Sequence, residues 1–147
     1  MNIKDKIFGK RVSGIFNALN ILLSLFCIIY YSINANSVNE FNSAVDLYLV
    51  LAIVCCGIYV FADHVIADIF NLIAVVFITL SIGNMIVSSI NTFADALNGI
   101  SMFGSSGVIG YIIVTAVIMV IMLVMEIVSC FLSRDKKGGI KVVPAGK

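Results

Sequence analysis

The chain has 147 residues, of which 61% are hydrophobic and 12% charged, and its mean hydropathy is +1.14. A soluble domain of this length covers its core with roughly a quarter charged residues, so this composition excludes one and identifies lipid as the solvent. The formal net charge is only +1, and its distribution carries more information than its size.

Residues 1 to 12 alternate charged positions with Ile3, Ile7, Phe8 and Val12. They read as a tail that carries topogenic charge, with a short amphipathic stretch along the inner surface as the other reading. The first apolar run, about residues 13 to 33, follows Lys4, Lys6, Lys10 and Arg11 as a secretory leader would. It is too long for a leader's apolar region, so it is expected to be the first span. Tyr30 and Tyr31 are expected to mark its outer interface.

Three more runs, about 45 to 61, 66 to 90 and 107 to 132, are also long enough for a hydrocarbon layer of about 30 Å. A turn is required near Ala62 to Val65, because one helix from 45 to 90 would greatly exceed a single crossing. Asp63 suits the N-cap of the following helix. "NTFADALNG" predicts a short amphipathic outer helix, with Asn91 or Thr92 as cap, Phe93 and Leu97 on one face and Gly99 as its stop. The expected fold is an all-α bundle of four transmembrane helices in a single integral membrane domain, residues 1–147, with tails at 1–12 and 133–147.

All nine lysines and arginines lie in two places, residues 4–11 and 134–147. Basic residues stay cytoplasmic, so both termini are expected inside, in the plasma (inner) membrane. The two connections then placed outside contain Glu40 and Asp95 and no basic residue, which agrees independently. The four cysteines fall inside the spans without Cys-x-x-Cys spacing and read as small apolar residues, not as a disulfide framework or a metal site.

Polar residues inside these runs need partners. Asn17, Asn20 and Ser24 share one face of helix one, and Thr115, Met122, Glu126 and Ser129 one face of the last span. Asp68 and Asn71 open helix three, with His64 four residues before Asp68. One reading makes Glu126, Asp68, His64, Asn71 and Thr115 the lining of an ion or proton path. The other places Glu126 within two turns of the interface, compensated by headgroups and by Lys136 or Lys137, with the asparagines as interhelical glue; the sequence favours this second reading. Small-xxx-small spacing in "GIFNA" and "SGVIG", and Gly104, Gly107 and Gly110 around re-entry, suggest close packing or partner contact, as do Asn17, Asn20 and Ser24.

A catalytic triad, a metal-ligand cluster and a phosphate loop are all missing from the pattern, so no enzyme, cofactor or metal is expected, and charges confined to two short ends do not suit nucleic acid. The basic N-terminus, the loop "SMFGSSGVIG" and the final "IVSCFLSRDKK" resemble small uncharacterised four-span bacterial membrane proteins, a resemblance that implies no activity or site. Small multidrug transporters resemble one another in a glutamate within helix one, where this chain has no acid. Flippase-like cell-wall proteins carry an Asn-Arg-aromatic signature that is missing here. The expected role is a non-enzymatic accessory or assembly subunit of a transport or envelope complex, partnered by the bilayer and by copies of itself or a larger membrane protein. The alternative is a small homo-oligomeric channel or proton-coupled carrier using Glu126 with Asp68 or His64.

The expected topology is checked by thiol labelling in a cysteine-free background. A cysteine at position 98 reacts with an impermeant maleimide on intact cells, and one at 136 reacts only after permeabilisation; the reverse pattern inverts the orientation.

Overall fold

The computed structural model describes residues 11–62, 67–99 and 109–132, and all five elements among them are helices: α1 Arg11–Ser37, α2 Ser43–Phe61, α3 Ala67–Ser88, α4 Ile90–Asn98 and α5 Ile109–Phe131. Helices α1, α2, α3 and α5 are long and apolar enough to cross a membrane. The shortest of them, α2, has 19 residues and rises about 28 Å, close to the hydrocarbon thickness.

Each long helix packs on two neighbours. Helix α1 lies against α2 and α5, α3 lies against the same two, and the backbones of the diagonal pairs stay apart, so the four form a closed ring. The α5 residues that face into this ring are Tyr111, Ile112, Thr115, Met119, Met122, Glu126 and Ser129, spaced three or four apart after the first pair. Its outward face is Ile113, Val114, Val117, Val120, Ile121 and Val124, all exposed. A soluble helix shows the opposite arrangement, and only an apolar solvent favours this one. The ring core is Leu49, Ala52, Ile78, Met85, Ile112, Met119 and Met122. The Ser13 hydroxyl reaches Ser129 at 2.7 Å, so the start of α1 and the end of α5 share one end of the bundle.

Helix α1 runs four residues past its expected end, because the chain closes it with a specific stop. Asn39 takes the left-handed conformation, φ 57°, the Glu40 N–H donates to the Ala35 carbonyl (3.0 Å) and the Asn39 N–H to that of Asn36 (3.3 Å). This pair of bonds is a Schellman closure, and Asn is the residue after Gly that tolerates it best. Asn42 then caps α2, its side-chain oxygen accepting the Ala44 N–H at 3.0 Å. Tyr31 faces into the bundle. It is fully buried under this connection, accepting the Asn42 N–H (3.1 Å) on its hydroxyl, while Tyr30 stacks on Phe26.

Helix α2 ends at Phe61 with Ala62 extended, and α3 begins at Ala67; the expected turn, the Asp63 cap and His64 lie outside the described residues. Helix α4 starts earlier than expected. Ser89 alone separates it from α3, with helical bonds on both sides of it (Ser89 N–H to Met85, Phe93 N–H to Ser89), so Asn91 and Thr92 are inside the helix. Gly99 is its stop, at φ 66°. Its inward residues are Thr92 and Asp95, and Leu97 is 86% exposed, because the groups it meets at that end of the bundle are polar. Gly104 and Gly107 are outside the described residues, and Gly110 is exposed with room for a Cβ, so no close helix crossing within the chain uses it.

The Asn39 closure is tested by substitution. Asn39→Val forces a β-branched residue into the left-handed region and is expected to lower stability in detergent by about 1–2 kcal/mol, whereas Asn39→Gly leaves it unchanged or raises it.

Candidate functional site

Membrane-facing helices turn their polar groups inward, and here the inward groups of four helices meet at the end that carries the start of α1. Ser13, Asn17 and Asn20 line α1 at spacings of four and three, Tyr59 closes α2, Asn71 stands in the second turn of α3, and Glu126 and Ser129 are one turn apart on α5. None of these seven side chains is more than 2% exposed.

The Ser13 hydroxyl lies 2.7 Å from both the Tyr59 and the Ser129 hydroxyls. Asn17 Nδ2 donates to Ser129 Oγ (2.8 Å) and to the Ser13 carbonyl (3.1 Å). In the amide orientation that satisfies both of its ends, Asn71 Nδ2 donates to Glu126 Oε1 (2.6 Å) and to Asn17 Oδ1 (2.9 Å), and its Oδ1 accepts the Cys130 N–H (3.3 Å). Asn20 Nδ2 donates to Glu126 Oε2 and to the Met122 carbonyl at 3.2 Å. Both carboxyl oxygens of Glu126 therefore accept from amides, one on α1 and one on α3. The Asn20 carbonyl oxygen is buried with no partner.

Glu126 is fully buried, so its partners are interior amides and not the headgroups that proximity to the interface suggested. Asn17 and Asn20 are likewise interior, and their contacts are within the chain. Ser24 is buried on the same face of α1. Thr115 is buried as well, but its hydroxyl donates to the Tyr111 carbonyl of its own helix at 2.8 Å. Asp68 is exposed on the first turn of α3 and is not among these groups. Sequence reading passed over Ser13 and Tyr59, although Ser13 extends the Asn17, Asn20 and Ser24 stripe by one turn and a tyrosine hydroxyl needs a partner when buried.

A second polar constellation lies about 22 Å away along α5, counted from Glu126 to Tyr111 at 1.5 Å per residue. Thr92 and Tyr111 both donate to the Glu40 carboxylate, Tyr111 to Oε2 at 2.8 Å. Nearby, Ser32 Oγ donates to Asp46 Oδ2 at 2.6 Å. The Asn39 closure is what turns Glu40 back over the bundle, which no periodicity in the sequence signals. Between the two constellations the ring is filled by Leu49, Ile78, Ile112 and Met119.

Fold and site together define an all-helical protein with four helices able to span a membrane and a carboxyl group enclosed among them. No protein-family model, curated protein or solved structure matches the chain. Among the described residues no group of three His, Cys, Asp or Glu side chains is close enough to hold a metal.

Removing one partner of a buried carboxyl costs more than removing both. Asn20→Leu is expected to destabilise the detergent-solubilised protein by about 2 kcal/mol. The Asn20→Leu, Glu126→Leu double variant should lose less than the sum of the two single changes; additivity within about 0.5 kcal/mol would show that the two side chains are not coupled.

Proposed function

We propose that this is a non-enzymatic multi-pass protein of the plasma membrane, with both termini cytoplasmic, that handles a small cation or proton at Glu126. One observation carries the reading: a carboxyl group fully buried between three helices that also carry broad apolar faces toward lipid. An ionisable group at membrane depth is costly, and packing alone does not require it, since neutral Asn, Gln, Ser and Thr side chains also bond across membrane helices. The basic residues, all at the two ends of the chain, support the orientation.

The apolar filling between Glu126 and the Glu40 constellation favours a carrier-like occluded site over an open pore within one chain. The same filling favours the second reading, in which the protein is an accessory or assembly subunit of a transport or envelope complex. That reading assigns the interior amides to holding the bundle together and the work to a larger membrane partner.

The two readings separate on Glu126→Gln, which keeps the volume and removes the charge, the Asn71 amide turning over to accept from the new NH2 group. Reconstituted in vesicles, the purified protein is expected to pass protons or alkali cations, and Glu126→Gln to lower that flux roughly tenfold or more at unchanged assembly. Wild-type vesicles without flux, from a protein that co-purifies with a larger membrane partner in fixed ratio, would establish the accessory reading instead.

A further inference from the structure

The orientation of the Asn20 amide is set by a group that cannot donate. The Met122 carbonyl accepts at 3.2 Å, so Nδ2 must face it, and the same Nδ2 faces Glu126 Oε2. Asn20 Oδ1 is thereby left as a buried acceptor without a donor, beside a carboxyl group whose two oxygens both already accept. Buried acceptors without partners are rare, and each calls for a ligand or a reason.

A proton on Glu126 does not complete this arrangement. On Oε2 it would place an O–H against the Asn20 N–H, and turning that amide to receive it would set the Asn20 and Met122 carbonyl oxygens against each other; on Oε1 it would be accepted by Asn71 Oδ1 with that amide turned over, which still leaves Asn20 Oδ1 without a donor. A cation does complete it, because a carboxylate and an amide oxygen are both hard donors. One carboxylate balances one positive charge; a divalent ion would leave an excess charge in the low-dielectric interior. Among the described side chains around Glu126 none is basic, and Asn17, Ser13, Ser129 and Tyr59 supply further oxygens in the same buried network.

We propose that Glu126 and Asn20 form a binding site for a monovalent hard cation such as Na+, ligated by the Glu126 carboxylate and Asn20 Oδ1. This deepens the reading of Glu126 given above and rests on it.

The test uses the full-length protein in mild detergent, held in choline chloride at fixed pH and constant total salt. NaCl replaces choline stepwise while apparent Tm and the 23Na line width are followed. A saturable rise of about 5 °C when Na+ exceeds its Kd a hundredfold is expected, together with 23Na broadening. Neither change is expected with MgCl2, and Glu126→Gln should lose both. Asn20→Ala should weaken Na+ at least tenfold. The inference is overturned if no alkali cation acts on the wild type, if MgCl2 acts equally, or if the response persists in Glu126→Gln. Should Glu126→Gln fail to fold, the wild-type 23Na signal decides: saturable broadening supports the site and its absence overturns it. Glu126-dependent proton flux with no alkali-cation response would overturn the cation site while leaving the proposed function standing; loss of both would remove the two together.

Discussion

Lipid offers no hydrogen-bond partner, and every buried polar group in this bundle is arranged by that fact. In water, the side chains of Asn17, Asn20, Asn71 and Glu126 would sit as well on the surface as inside. In a bilayer each must find its partner among the other helices or in its own backbone. Both solutions occur. Thr79, Asn84 and Thr115 return their donors to the carbonyl four residues earlier, which leaves helix contacts to apolar packing. Ser13, Asn17, Asn20, Asn71, Glu126 and Ser129 instead bond across helices, and the ring closes around them.

The cross-helix network has a structural consequence beyond its own energy. Individual interhelical hydrogen bonds in membranes contribute only about 0.6 kcal/mol on average, so the register of α1 against α5 cannot rest on one of them. Here Ser13 and Asn17 both bond Ser129, while Asn20 bonds Glu126 and the Met122 backbone, four contacts from three successive turns of α1 to the same partner helix. A shift of one turn would break all of them at once, so the network specifies register more than it supplies stability. Asn71 then ties α3 to the same set through Glu126 and Asn17. The carboxyl group is the point where α1, α3 and α5 meet.

The opposite end of the bundle is organised by backbone geometry. The left-handed turn at Asn39 reverses the chain within a few residues of α1, brings Glu40 over the ring and leaves Asn42 to start α2. Thr92 of α4 and Tyr111 of α5 converge on that carboxylate, joining both helices to the α1–α2 connection. Two acidic centres, each held by neutral donors, thus stand at the two ends of an apolar plug, Glu126 fully buried and Glu40 half-buried.

Four spans, their approximate limits and the inward stripes on α1 and α5 follow from the sequence alone, because a membrane-length apolar run and a three-to-four spacing of polar residues are one-dimensional patterns. The Gly99 stop is legible for the same reason: it is a local conformational demand on one residue. Tertiary structure alone decides which stripes meet, and it separates residues the sequence treated together: Glu126 and Asn71 join, whereas Asp68, three residues from Asn71, falls on the exposed side of α3. It also separates Phe93 from Leu97 on α4: Phe93 packs against the core and Leu97 is exposed, while Thr92 and Asp95 turn inward, Thr92 toward the Glu40 carboxylate that the Asn39 turn places there. Periodicity fixes which face of a helix is polar, but the partner of a buried carboxyl depends on helix order, rotation and register, which no spacing within a single helix encodes.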